Sequence, residues 1–328
     1  MTINRRRFAL TSAAAMFAPA AMAQAAFPNR AITLIVPFAP GGPTDIVGRL
    51  VGEALAAKLG QPVIIENVAG AAGVTGAARA AKAEASGHTL VVGNVSTHAT
   101  AVTLQKALPY DPATDFEPVG LMASTAIAIV VKNTLPVNTL AEFVALLKRD
   151  GAKLSQASAG VGATSHVSCL VINAAAGAAS THVPYRGTGP AMNDLIAGHI
   201  DYMCDQIVSL IPQIKAGQVK ALAVAQPKRS PALPDVMTAE ESGLKEFAVT
   251  GWNALFAPKG TPPDAVAKLE AALSAALDDP ALRRRLADDL GADLPEPAER
   301  GGAPLRALVT REVARWRGIL TAAGVKAE

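Results

Sequence analysis

The sequence predicts an α/β fold of mostly parallel sheets flanked by helices, arranged as two lobes with a hinge and a cleft between them. Three observations carry the prediction. Short apolar runs rich in β-branched residues alternate with stretches of helical spacing. Glycine-rich or polar loops recur at the carboxyl end of one run after another. The chain also crosses between halves twice, near residues 125 and 250, so the first lobe is discontinuous: residues 24–125 with 250–328, against 126–249 for the second. A chain of 328 residues is long enough to give each lobe a core.

The first strand is Ile32 to Val36. Pro37, Pro40, Gly41, Gly42 and Pro43 then interrupt regular structure, Thr44 and Asp45 are expected helix N-caps, and Val47, Leu50, Val51, Leu55 and Leu59 follow at helical spacing up to Gly60. A glycine-proline loop at the carboxyl end of a strand, facing the positive end of a helix dipole, is built to hold an anion, although an ordinary βα turn has the same character. Val63 to Val68 is the second strand, and Ala69 to Gly76 opens an Ala-rich helix to about Ala85. Leu90 to Asn94 runs into the polar loop Val95 to His98. Ala126 to Val131 crosses into the second lobe, where Thr139-Leu-Ala-Glu142 has the form of a capping box. Leu154 to Ala157 leads into the third glycine loop, Ser158 to His166. Thr181 to Tyr185 precedes Arg186 to Ala191, Ile200 to Cys204 runs into Asp205 and Gln206, and Val219 to Ala225 is a further strand. Thr238 to Glu241 is a second capping box, Ala254 to Ala257 returns to the first lobe, and Thr261 to Asp264, with Pro262 at N1, starts a long helix. Amphipathic helices then run to about Ala322. In open α/β sheets ligands sit beyond the carboxyl ends of the strands, where these loops fall.

Residues 1–23 stand apart. Arg5, Arg6 and Arg7 precede an Ala-rich apolar stretch too short to span a bilayer, and Ala21-Met22-Ala23 is an A-x-A cleavage site, so an exported mature chain is expected from Gln24. The three arginines suit a twin-arginine or a general secretory signal. The whole chain has 30 basic and 27 acidic residues; with those arginines removed the balance is even, and aromatics are 4%. Nucleic-acid binding wants the opposite, a basic stripe with stacking aromatics. The two cysteines, Cys169 and Cys204, are either a disulfide or small core residues. CxxC and paired-His metal spacings are absent, and no cofactor is implied.

Other chemistry fails on spacing. Gly160-Val-Gly162 could open a dinucleotide fingerprint, but its third glycine position is Ser165. Neither a P-loop nor a G-x-S-x-G elbow occurs. Ser165-His166 and Thr97-His98 pair a hydroxyl with an imidazole, yet side chains of sequence neighbours diverge, so hydrogen-bonding or loop-stabilising roles are expected and no catalytic residue is assigned. Three further residues have two readings each: Asp45 as cleft acid or helix cap, Trp252 as cleft floor or core, Arg186 as cleft cation or surface group.

The motifs in order resemble one family. Val36-Pro-Phe-Ala-Pro-Gly-Gly-Pro-Thr-Asp45, Leu108-Pro-Tyr-Asp-Pro112, Gly160-x-Gly162-x-x-Ser165-His166, His182-Val-Pro-Tyr-Arg-Gly-Thr-Gly-Pro-Ala191, Asp194-Leu195, Asp201, Met203, Asp205, Leu233-Pro-Asp-Val236 and Leu255-Phe-Ala-Pro258 are similar to the Bug/TctC-type receptors, the periplasmic solute-binding subunits of tripartite tricarboxylate transporters. The resemblance covers essentially the whole mature chain. It implies a periplasmic-binding-protein-like (Venus flytrap) fold, a monomer, a small carboxylate or related ligand, and membrane permease subunits as partners. Signalling to a membrane protein, or an exported enzyme on the same scaffold, remains an alternative. Carried over by position, the ligand loops are Phe38, Ala39, Pro40, Gly41, Gly42, Thr44 and Asp45; Ala71, Ala72 and Gly73; Ser96, Thr97 and His98; Gly160, Gly162, Thr164, Ser165 and His166; Arg186, Gly187, Thr188 and Gly189; and Asp205 with Gln206. The resemblance implies that these loops hold a carboxylate largely by N–H groups, small hydroxyls and bridging waters, which satisfies it without a buried cation. Gln206 stands where the family commonly has Asn, Cys204 where it has Phe, Met237 where it has Pro and His88 where it has Tyr.

Overall fold

The computed structural model describes residues 27–245, 247–322 and 324–325. The basic leader, the cleavage site at Ala21–Ala23 and Gln24 therefore lie outside the described residues. The chain alternates strands and helices: β1 (Ile32–Val36), α1 (Pro43–Leu59), β2 (Val63–Asn67), α2 (Val74–Ala81), β3 (Thr89–Asn94), α3 (Ala101–Leu104) and the long β4 (Phe116–Lys132). There follow α4 (Leu140–Asp150), β5 (Ser155–Ser158), α5 (Thr164–Ala175), β6 (Thr181–Pro184), α6 (Thr188–Ile196), β7 (Tyr202–Gln206), α7 (Ile207–Lys215) and β8 (Val219–Val224). The last part holds β9 (Thr250–Pro258), α8 (Pro263–Leu277), α9 (Pro280–Arg283), β10 (Ala292–Asp293) and α10 (Gly302–Ala322).

The strands join in the order β2-β1-β3-β9-β4-β7-β5-β6, with β8 and β10 also paired to β4. The outer strands are parallel: β1 with β2 and β3, β5 with β6 and β7. Antiparallel pairs enter where the halves meet, because β4 and β9 run opposite ways. From Phe116↔Pro258 to Ala126↔Thr250, β4 pairs with β9; from Ile127↔Gln206 onward it pairs with β7 and β8. The sheet is thus mixed rather than mostly parallel, and one strand serves both halves.

Both faces are covered by helices, which is why β1 is apolar at every position but Thr33. Ile32, Leu34 and Val36 pack with Val47, Val51 and Leu55 of α1 and Leu269 and Leu273 of α8. Ile35 faces the other way, towards Val74 and Ala77 of α2. A further core between β4, β7, α6 and α7 includes Val130, Met203, Leu195 and Leu210.

Several local expectations are corrected. Thr44 and Asp45 lie inside α1, not at its cap: Pro43 occupies N1 with its φ already helical, which makes Gly42 the N-cap. The segment Ser96–Thr100 is a buried π-helical turn rather than a polar loop. Asp205 and Gln206 belong to β7. The long helix α8 starts one residue later than expected, with Pro263 at N1, while Thr261 Oγ1 donates to the Pro258 carbonyl. The reciprocal Thr238–Glu241 bonds form, but they close a turn and no helix follows, since Gly243 is left-handed at φ 85°. Cys169 and Cys204 are free thiols in the core. Trp252 is core as well, 2% exposed with Nε1 donating to Glu312.

Candidate ligand-binding site

Four helix starts converge between the two halves of the molecule. A compartment of about 20 Å3 is lined by Gly42, Pro43 and Thr44 at the start of α1, Ala163, Thr164 and Ser165 at α5, Thr188 at α6 and Gln206 before α7, with Phe38, Asn94, Ala159 and Asp205. None of the four helices carries a side-chain cap. First-turn N–H groups have no intrahelical acceptor, and the positive ends of the dipoles add to them. Four such ends around one small space make an anion-holding environment with no Lys, Arg or His in the lining.

The local sequence explains how each polar group is held. Asn94, at the end of β3, donates from Nδ2 to Thr44 Oγ1 at 3.0 Å and accepts from the Thr97 N–H at 3.1 Å. Ser165 Oγ accepts from the Ala159 N–H at 2.9 Å, and His166 Nδ1 from the Gly162 N–H at 3.1 Å, so the first turn of α5 braces its own loop. Gln206 Oε1 accepts from Thr125 at 2.6 Å and Asn253 at 3.0 Å, which leaves the Nε2 end of the amide as a donor. Gly251 permits this, since a Cβ there would lie 2.5 Å from Gln206 Cδ. Thr164 Oγ1 is buried and has no hydrogen-bond partner among the described residues.

Asp205 is the one ionisable side chain in the lining and is 2% exposed. Its Oδ2 accepts from Thr188 Oγ1 and its Oδ1 from the Gln206 N–H at 2.7 Å. Burial pushes its pKa up to about 6, and those two donors partly offset the rise. His166 is driven down to about 3 by burial, with His182 stacked on it at 3.9 Å between centroids.

The halves touch across the compartment. The Ala39 N–H donates to the Arg186 carbonyl at 3.1 Å, and Thr100 Oγ1 donates to the Gly162 carbonyl at 2.8 Å. A Cβ on Gly187 would stand 2.9 Å from the Ala39 nitrogen, and one on Gly189 would collide with the Pro40 carbonyl oxygen. Phe38, Ala72, Ala159 and Ala163 form a small apolar cluster. Ala159 is shared with a second, outer cavity of about 640 Å3, lined also by Ala71, Ala72, Gly160, Tyr185 and Arg186. Ala71 and Ala72 hold left-handed backbone, φ 46° and 53°, which is strained for alanine; the Ser96 hydroxyl binds the Ala72 carbonyl at 2.7 Å, and the Ala72 methyl joins the apolar cluster.

Of the residues singled out in the sequence, Phe38, Gly42, Thr44, Thr164, Ser165, Thr188, Asp205 and Gln206 line the inner compartment. Ala71, Ala72, Gly160 and Arg186 line the outer one, while Ala39, Pro40, Gly187 and Gly189 meet where the halves touch. Asp45 is in neither lining. Burial raises its pKa, but bonds from Arg49, Asn67 and Gly41 outweigh burial and hold it below the usual carboxylate range. It ties the Gly41 N–H at 3.0 Å, and Asn67 in turn donates to the Phe38 carbonyl. Thr97 and His98 do meet, at 2.9 Å, contrary to the expectation that such neighbours diverge. Both are wholly buried, with His98 stacked on Phe256 at 4.0 Å, so the pair stabilises the turn. Gly93 makes room for that ring. Pro43, Asn94, Ala159 and Ala163 line the inner space without having been singled out as site residues; Asn94 carried a signal as the polar end of a buried strand. Among the described residues no cluster of His, Cys, Asp and Glu could hold a metal ion, and no helix is long and apolar enough to cross a membrane.

Known proteins share this fold. Residues 47–325 match the family model of the tripartite tricarboxylate transporter family receptor, TctC. MatC from Rhodopseudomonas palustris, solved with bound malate, is 46% identical and superposes with a TM-score of 0.87 over 90% of this chain and all of its own. The periplasmic binding protein BugD is 39% identical, with a TM-score of 0.89 over 92% of this chain and all of its own. A protein from Agrobacterium vitis, encoded in the ttuE-ttuC' intergenic region, is 41% identical over 87% of this chain and 82% of its own length. The chain, a mixed α/β protein of the periplasmic-binding-protein kind, belongs to the TctC family of tripartite tricarboxylate transporter receptors.

Proposed function

We propose that this protein is an exported, periplasmic receptor that clamps a small carboxylate in the inner compartment and hands it to the permease subunits of a tripartite tricarboxylate transporter. The convergence of four uncapped helix starts on one space supports this most directly. A carboxylate there takes first-turn N–H groups, Thr164 Oγ1 and the Gln206 amide as donors, in charge-assisted bonds. Residues 24–125 with 250–328 form one jaw and 126–249 the other, flexing at β4 and β9. The inner space of about 20 Å3 has room for roughly one water molecule, so the jaws part to admit a ligand and close on it. The malate held by MatC is a carboxylate of a size such a clamp takes once parted. The reading involves binding and release only, with no bond made or broken.

Titration calorimetry on protein unfolded, dialysed and refolded to strip copurified ligand tests the binding step. Micromolar or tighter affinity for at least one member of a panel of mono-, di- and tricarboxylates is expected. No heat from any of them removes the reading. Loss of cellular uptake of the same ligand when either the receptor or the permease is deleted tests delivery.

A further inference from the structure

Within the proposed carboxylate site, Asp205 sets a problem that the helix starts do not solve. It is a carboxylate in a compartment meant for another carboxylate, and no cation lines that space. The groups lining it with Asp205 include Thr44, Asn94, Thr164, Ser165, Thr188 and Gln206, none of them charged. A buried anion is tolerated only when its oxygens are satisfied by donors. Asp205 has one donor on each oxygen, Thr188 Oγ1 on Oδ2 and the Gln206 N–H on Oδ1. A carboxylate has about four lone-pair sites, so acceptor capacity remains. Both donors come from the starts of α6 and α7, which are thereby engaged with Asp205. The starts of α1 and α5, with the orphaned Thr164 hydroxyl, are left for the ligand's carboxylate.

We infer that Asp205 accepts a hydrogen bond from a donor on the carbon next to the ligand's carboxylate, so that the ligand is a 2-hydroxy or 2-amino carboxylic acid. Thr164, Gln206 and Asp205 line the same compartment and all belong to one half of the molecule, so their mutual spacing is kept when the jaws part, and a carboxylate held by Thr164 and Gln206 puts its neighbouring carbon beside Asp205. An aliphatic CH2 in that position would leave the Asp205 oxygens facing a group that cannot donate. A plain carboxylate would also bring two anions together with nothing between them. A hydroxyl or ammonium removes both penalties. A bond to a charged acceptor discriminates by about 10- to 100-fold against the analogue that lacks it.

The inference rests on the carboxylate reading, and matched pairs separate the two. Calorimetry at pH 7.5 on ligand-stripped full chain compares lactate with propionate, malate with succinate and 2-hydroxyglutarate with glutarate; alanine, aspartate and glutamate supply the amino counterparts, and adipate and benzoate stand as plain acids. In whichever chain length binds, the hydroxy or amino acid is expected to bind 10- to 100-fold more tightly than its deoxy partner. Asp205→Asn keeps the shape but offers a weaker, uncharged acceptor, and is expected to bring malate and succinate, or the corresponding pair, within about threefold. A measurement on the wild-type protein alone covers a variant that fails to fold: the preference should shrink as pH falls through about 6, where Asp205 gains its proton. Equal affinity within every binding pair, a preference unchanged in folded Asp205→Asn, or binding of plain acids alone overturns the donor inference and leaves the carboxylate receptor standing. Silence from every acid overturns both.

Discussion

Helices α4 and α5 lie in the same half of the molecule and begin in opposite ways. At α4, Thr139 Oγ1 accepts from the Glu142 N–H at 3.2 Å and the Glu142 carboxylate accepts from the Thr139 N–H at 3.2 Å, so the end is closed by its own side chains. At α5 the N-cap is Ala163, and the early side chains turn away from the helix: Ser165 accepts from the Ala159 N–H and His166 from the Gly162 N–H. The first start is satisfied and solvent-facing; the second is braced from behind and open in front. Lack of a cap is not in itself a signal of function, since α8 also begins without one, at Pro262. What separates α5 is that three other uncapped starts point at the same space.

The contrast is broken most severely by stopping the jaws from meeting. Gly189→Val places a side chain against the Pro40 carbonyl, and ligand affinity is expected to fall by about 100-fold or more while the circular-dichroism melt stays close to wild type. Unchanged affinity would mean that the contact is not part of the bound state.

Acid acts on the bracing of α5. His166 must be neutral for Nδ1 to accept from Gly162, and its folded pKa is about 3 against an ordinary 6.5. Between those values the unfolded chain binds a proton that the folded chain refuses, so the contribution is complete above pH 6.5 and falls as pH drops. At pH 5 the loss from this group is about 2 kcal/mol, at 1.36 kcal/mol per pKa unit. Urea unfolding at pH 7.5 and 5 measures it, and His166→Asn, which retains an acceptor without a titratable ring, should reduce the pH dependence.

Thr164→Val sharpens the comparison from the front of the helix. Its hydroxyl is buried without a partner, so removing it should leave stability equal or slightly higher while affinity drops about tenfold. A drop in melting temperature with affinity preserved would make the hydroxyl structural. The smallest effect belongs to α4: Thr139→Ala should cost about 1 kcal/mol of stability and leave ligand affinity untouched.

Much of the fold was legible because its signals are local. The apolar run of β1, the Pro and Gly residues after it, the spacing of α1 and the left-handed stop at Gly60 each act through neighbours in sequence. The glycine and polar loops at strand ends were legible for the same reason, and so was the Thr139–Glu142 box. Reading failed where geometry is set by distant partners. Thr44 and Asp45 looked like caps, but Pro43 had already taken N1, and Asp45 was drawn back by Asn67 and Arg49. Thr97 and His98 read as part of a polar loop with diverging side chains, but they sit in a buried π-helical turn, where Phe256, far away in sequence, covers the ring.

The sequence by itself determined the strand–loop–helix units, the places where glycine must sit and the family to which the chain belongs, because these follow from propensity, capping and motif order. Only the tertiary structure decided which loops face the inner space and which the outer, that four helix starts share one point, and that Asp205 is buried there without a cation. Those facts depend on β4 and β9 bringing residues more than 150 positions apart to one compartment, as with Thr44 and the pair Asp205 and Gln206. No local rule encodes the dielectric or the company a side chain acquires when two halves of a chain close on each other.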